Sequence, residues 1–261
     1  MDLGLSGKVA IVAASSQGLG KAVATQFVRE GVNVMITSRN EEKLKEVKEE
    51  LMGLGGGRVA YVTTDITNPD AIKNLVEKTI EEFGQLDILV NNTGGPPSGK
   101  FESFTDEDWI KAFELTLLSY IRLTREALPY LKKNGGRIIN IASSSIAQPI
   151  PGLIFSNTFR LGVLGFSKTL SLELADDNIL VNTVAPGRIA TDRVAFLDAT
   201  NAEKLNKPVE EVVQESKEAI PLKRYGTPEE FANVVTFLVS EASTFITGSA
   251  LLVDGGMIKS I

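Results

Sequence analysis

The stretch Val9-Ala10-Ile11-Val12-Ala13-Ala14-Ser15-Ser16-Gln17-Gly18-Leu19-Gly20 decides the fold. Its apolar start suits a strand covered on both faces, and glycines 18 and 20 stand where a helical pattern begins. Glycine lets the backbone approach a phosphate closely, and the first turn of a helix offers free N–H groups and the positive end of its dipole. Ala14, Ser16, Gln17, Gly18, Leu19 and Gly20 are therefore placed around a dinucleotide pyrophosphate. Glycines at a strand-to-helix turn also serve steric needs alone, so the rest of the chain has to decide between the two.

Outward from that turn the same alternation repeats. Val9–Ala13, Val32–Thr37, Val59–Thr64, Leu86–Asn91, Arg137–Ile141, Leu180–Val184 and Ala250–Val253 are near-continuous apolar runs separated by helix-like segments. This predicts an α/β, Rossmann-type, doubly wound domain over residues 1–261, with a seven-stranded parallel sheet and helices on both faces. Asn68-Pro69 reads as an N-cap before a first-turn proline, and Thr227-Pro228-Glu229-Glu230 as a capping box. From Trp109 the apolar positions Phe113, Leu117, Tyr120, Thr124, Leu128 and Leu131 define one long amphipathic helix, stopped by Asn134-Gly135-Gly136. Phe155–Leu174 is apolar on more than one face and needs cover from the sheet and a neighbour, or from another subunit. Residues 193–220, whose polar part is Thr200–Lys217, read either as a lid insertion over the site or as a solvated surface helix.

Composition narrows the chemistry. The 261 residues are 43% apolar, enough for one large core, and 27 basic against 33 acidic residues leave a net charge of −6 with no basic field for nucleic acid. With no histidine and no cysteine, imidazole acid–base catalysis, thiolate chemistry and the usual zinc sites are excluded, and no metal site is expected. No apolar run reaches membrane-spanning length and Met1–Lys8 has no leader pattern, so a cytoplasmic protein that meets neither membrane nor nucleic acid is expected.

Further motifs follow in order: Asn91-Asn92-Thr93-Gly94, then Asn182-Thr183-Val184-Ala185-Pro186-Gly187-Arg188-Ile189-Ala190-Thr191, then Pro221–Glu230, then Val253-Asp254-Gly255-Gly256. With the first turn, these resemble the signatures of the short-chain dehydrogenase/reductase family over Leu5–Gly256, and the chain is similar to its 3-oxoacyl-carrier-protein reductases. The resemblance implies that Gly18–Gly20 hold the pyrophosphate and that Asp65 and Ile66 hold the adenine. It likewise puts Asn91, Thr93 and Gly94 on the ribose side, and Pro186, Gly187, Ile189 and Thr191 on the nicotinamide carboxamide. At the end of the second strand, Ser38-Arg39 offers a guanidinium and no carboxylate, which favours NADP(H) over NAD(H). Ala14 stands at the family's first glycine, a substitution that is strained if the turn needs positive φ.

The catalytic positions depart from the family. Ser143 keeps the serine, whereas the tyrosine position is Ser156, the lysine position Arg160 and the asparagine position Thr116. An aliphatic hydroxyl is a far weaker acid than a phenol, and a guanidinium stays charged. Ser143, Ser156 and Arg160 are left to bind an oxyanion by hydrogen bonds while water delivers the proton. Arg188 and Arg193 flank the nicotinamide-side turn, either to clamp an acidic substrate group or in structural roles. The resemblance thus implies hydride transfer between nicotinamide and a small carbonyl or alcohol, possible 3-oxoacyl chemistry, and a homodimer or homotetramer. A dinucleotide-binding protein without turnover is the alternative, with non-redox chemistry on the same fold ranked last.

Overall fold

The computed structural model describes residues 2–260. In chain order the elements are β1 (Val9–Val12), α1 (Gly18–Arg29), β2 (Asn33–Ser38), α2 (Glu41–Met52), β3 (Val59–Thr63), α3 (Pro69–Phe83) and β4 (Ile88–Asn91). They continue with α4 (Asp106–Phe113), α5 (Ser119–Leu131), β5 (Gly136–Ile141), α6 (Ile154–Glu173), β6 (Ile179–Pro186), α7 (Asp192–Leu205), α8 (Val209–Glu218), α9 (Pro228–Val239) and β7 (Ala250–Val253). The seven strands are all parallel in the order β3-β2-β1-β4-β5-β6-β7. The order reverses between β1 and β4, which opens a crevice at their carboxyl ends.

Period-two alternation sends neighbouring residues of one strand into opposite cores. Ala10, Val12, Val34 and Ile36 join Phe27, Leu44, Phe231 and Val235 on one face of the sheet. Ile11, Met35, Leu89 and Ile138 join Leu75, Leu123, Leu131 and Leu174 on the other. The edge strand β7 differs from the expectation of cover on both faces, since Leu251 is 44% exposed. It has β6 as its only partner in the sheet.

Local chemistry sets the helix ends. The Asn68 side chain accepts from the N–H groups of Asp70 and Ala71, with Pro69 in the first turn, and Thr227 and Glu230 form a reciprocal capping box. The long helix expected from Trp109 is one continuous rod, but a π-helical turn over Glu114–Leu118 divides α4 from α5. Such turns widen the helix and often mark functional sites. Among the described residues no helix is long and apolar enough to cross a membrane.

Candidate active site

The first wall of the crevice is the turn after β1. Ala14 has φ of +47°, so a side chain occupies a left-handed position that glycine fills without strain. A Cβ on Gly20 would sit 2.3 Å from the Ala14 carbonyl oxygen, which requires glycine there. Gly18 has φ of +57°, and a Cβ on it would lie 3.8 Å from the Thr191 methyl, so the β1 and β6 turns face each other. Gln17 makes no side-chain cap, and the first turn of α1 holds no acid, leaving its N–H groups open to an anion.

Three residues that sequence reasoning passed over brace this turn. The Ser15 hydroxyl donates to Val12 O at 2.8 Å and accepts from Thr37 N–H at 2.9 Å, pinning the turn to β2. Asn92 donates to the Ala13 and Ala14 carbonyls at 3.2 and 3.3 Å. Lys43 on α2 donates to the Gln17 side chain at 3.0 Å, adding a cation beside Ser38 and Arg39. Only for Lys43 was there a signal, as a second cation four residues past Arg39. Arg39 is exposed and has no ion pair among the described residues. Asp65, followed by half-buried Ile66, accepts from both Thr67 N–H and Thr67 O–H. The Thr67 N–H holds its carboxyl below the usual range, and the Arg39 charge adds to that. Ser16 is half-buried beside the turn.

Asn91 is fully buried, its amide donates to Thr124 Oγ1 of α5 at 3.0 Å and to Asn140 Oδ1 of β5 at 2.8 Å, and its own Oδ1 has no partner among the described residues. Thr93, two residues on, has a buried hydroxyl with no partner among the described residues. Next to it, a Cβ on Gly94 would meet nothing within 4 Å.

On the opposite wall, Pro186 ends β6, and a Cβ on Gly187 would strike Asp254 at 2.6 Å. Ile189 is buried and bridged to Gly226, and the Thr191 hydroxyl caps α7 by accepting from Val194 N–H. A cavity of about 440 Å³ reaches Gly18, Lys21 and Thr191 between α1, α7 and α9. A second, of about 330 Å³, lies under α7 and α8 beside Asp198, Val213 and Tyr225.

The reaction side lies at the end of β5. Ser143 is half-buried and its hydroxyl accepts from Ser145 N–H at 3.2 Å. Ser156, 8% exposed, lies 3.3 Å from the Ser145 hydroxyl. Arg160, 5% exposed, donates from Nη1 to the Tyr120 hydroxyl at 2.8 Å and to Ile141 O at 2.7 Å. Tyr120 donates to the same carbonyl at 2.8 Å, closing a buried triangle. The phenol–cation pair missing from the family positions thus recurs between α5 and α6 with different members. It does not do the same work: Tyr120 is wholly buried, its proton is engaged by Ile141, and burial pushes its pKa up despite Arg160. Thr116 sits in the π-helical turn, fully buried, with its hydroxyl unpartnered among the described residues. Behind these residues Phe104, Trp109, Phe155 and Phe159 form an aromatic wall joining α4 to α6.

Arg188 is bonded to buried Asp198, which also accepts from Tyr225 at 2.8 Å. Arg193 instead crosses the crevice and donates to Pro96 O at 3.0 Å. Among the described residues no cluster of three acidic side chains could hold a metal ion.

A parallel sheet with a glycine turn at its switch point and a serine after β5, two strands away, is a Rossmann-type arrangement, and sequence comparison identifies the class of protein that carries it. Residues 13–258 match the family model described as Enoyl-(Acyl carrier protein) reductase. The chain belongs to the short-chain dehydrogenase/reductase family and is an oxidoreductase. It is 37% identical to the 3-oxoacyl-(acyl-carrier-protein) reductase FabG of Aquifex aeolicus over 98% of this chain and 100% of that one. Among solved structures, L-sorbose reductase of Gluconobacter frateurii, complexed with NADPH and L-sorbose, superposes with a TM-score of 0.95 at 36% identity, covering 100% of both chains. An actinorhodin polyketide ketoreductase with NADPH gives 0.93 at 32% identity, covering 97% of both.

Proposed function

We propose that the protein is an NADP(H)-dependent reductase of small carbonyl compounds, running in reverse on the corresponding alcohols. The observation that carries this reading is the uncapped first turn of α1 beside Arg39 and Lys43, which offers N–H groups to a pyrophosphate and two cations to a 2′-phosphate. The NADPH bound by the sorbose and polyketide reductases supports the same cofactor. Asp65 and Ile66 would flank its adenine, and Ile189 and Thr191 its carboxamide. A reduced nicotinamide bound there supplies a hydride to the carbonyl carbon.

The chain's own residues do the rest. Ser143 donates its hydroxyl to the carbonyl oxygen, where charge develops. Arg160 is oriented by the Tyr120–Ile141 triangle through Nη1 alone, so Nε and Nη2 remain as further donors to that oxygen. Ser156 supports Ser143 through Ser145 and carries no titrating group, so water is the proton source. The helices α7 and α8, which make up most of residues 193–220, act as the lid that limits water access. Exposed apolar residues on α6 and β7, namely Leu161, Leu172 and Leu251, support assembly as a homodimer or homotetramer.

The second reading, a dinucleotide-binding protein without turnover, is favoured by the engagement of Arg160 inside the buried triangle. One experiment separates the two. NADPH and NADH are titrated against thermal unfolding, and cofactor consumption is followed over ketones and 3-oxoacyl thioesters, with Ser156→Tyr/Arg160→Lys as comparison. Turnover by the unaltered protein is the expected result; binding with turnover only in the double variant would establish the second reading. No dinucleotide binding would overturn both.

A further inference from the structure

The arginines around the crevice fall into two groups. Arg29, Arg188 and Arg224 each face a carboxylate, on Glu229, Asp198 and Glu230 respectively. Arg160 and Arg193 face none among the described residues, although they are the ones that turn toward the reaction side. Arg160 contacts a phenol and a carbonyl, both neutral. Arg193 contacts the Pro96 carbonyl, and burial lowers its pKa with no acid acting to raise it.

The path of Arg193 is specified by the chain. The residue stands in the first turn of α7 and ends on the loop after β4, and β5 lies between β4 and β6 in the sheet. Its guanidinium therefore links the segments on either side of β5, the strand that leads to Ser143. It lies flat on Gly95, where an added Cβ would come within 2.8 Å of Nη2 and 2.9 Å of Nε. Glycine at 95 thus makes room for the charge.

The Arg193 guanidinium is half-buried and rests over the Phe196 ring with no carboxylate beside it, and even partial withdrawal of a charge from water is unfavourable without a counter-charge, a cost that a bound anion reduces. A neutral ketone would leave it unanswered. A carboxylate matches the planar fork of arginine through paired hydrogen bonds. Resting on the reductase reading above, we propose that the substrate is a small oxo acid, its carboxylate bound by Arg193 and its carbonyl oxygen placed against Ser143. The carboxylate takes no part in bond changes; it fixes which carbonyl faces the hydride donor.

The cofactor's own pyrophosphate is the other anion that Arg193 could serve, and the test separates the two sources. Pyruvate and acetoacetate, each against its methyl ester, are titrated calorimetrically into the NADP⁺ complex, and NADPH is titrated separately into each free protein. The unaltered complex binds at least one acid more tightly than its ester, by about tenfold or more. That acid-to-ester ratio falls about tenfold in Arg193→Gln, is partly restored in Arg193→Lys, and falls likewise in Gly95→Ala, where the Cβ displaces the guanidinium. Equal binding of acids and esters by the unaltered complex overturns the proposal while leaving the reductase reading intact. So does weaker NADPH binding in Arg193→Gln with an unchanged acid-to-ester ratio, which assigns Arg193 to the cofactor. Failure of the unaltered protein to bind NADPH overturns the reductase reading, and the proposal with it.

Discussion

At the end of β1, side chains are tied to the backbone so that the turn is held in place: Ser15 to Val12 and Thr37, Asn92 to Ala13 and Ala14. At the end of β5, polar side chains are tied mainly to one another, Arg160 to Tyr120 and Ser156 to Ser145. On the reading proposed above, the first region binds mainly through backbone N–H groups with Arg39 and Lys43 beside them. The second would work through side chains alone, so a change of residue type there rewires the site without disturbing the fold.

The largest effect is expected where the reaction side depends on one hydroxyl. Ser143→Ala removes the donor nearest the developing oxyanion, and steady-state turnover should fall by about 10²–10³. The NADPH dissociation constant, read by fluorescence, should stay put because Ser143 has no bond to the glycine turn. An unchanged rate would show that the reaction side does not work through Ser143. Next in size, Arg39→Glu places a carboxylate where the 2′-phosphate is expected, and NADPH affinity should fall by about 10²-fold, or about 2.7 kcal/mol, with little loss for NADH. Equal loss of both cofactors would mean that Arg39 shapes the turn rather than reading the phosphate.

The two regions also differ in how legible they were. Strands, helix caps and the tight turn after β1 could be read because each rests on local signals: apolar runs, Asn68-Pro69, the Thr227–Glu230 box, and Gly18 and Gly20 at the start of α1. The Tyr120–Arg160 triangle could not, because its members are 40 residues apart and meet only when α5 packs on α6. The direction of the Asn91 side chain was hidden for a different reason. A motif fixes its position at the strand end but not the direction of its side chain, which the neighbouring Asn140 of β5 draws into the sheet. The same limit hid the difference between Arg188 and Arg193, five residues apart in sequence, one paired with Asp198 and the other without an acid.

A smaller effect sharpens the contrast from the cofactor side. Ala14 holds φ of +47°, where a side chain costs about 1–2 kcal/mol relative to glycine. Ala14→Gly relieves that strain but loosens the unfolded chain, so urea denaturation should show a net gain of about 1 kcal/mol or less. Destabilisation instead would show that the methyl packs productively and that the turn is shaped around alanine.

The smallest effect tests the corner where the two regions meet. Gly226 is bridged to Ile189, so the 224–230 segment steadies the nicotinamide-side turn. Glu230 anchors that segment: the Arg224 guanidinium first, then the Thr227 N–H, pull its carboxyl from 4.5 to about 2. A carboxyl more acidic in the folded chain stabilises fully above its unfolded value and less as pH falls toward the folded one. Glu230→Gln keeps the size of the side chain but loses its charge. The melting temperature of the variant should therefore lie below that of the unaltered protein by a constant amount from pH 7 down to about 4.5, and the gap should narrow at lower pH. Because the group is solvent-exposed and screened, about 0.15 M added salt should shrink the same gap at pH 7. A gap indifferent to both pH and salt would mean that Glu230 acts through the geometry of its capping box alone, leaving the corner without an electrostatic component.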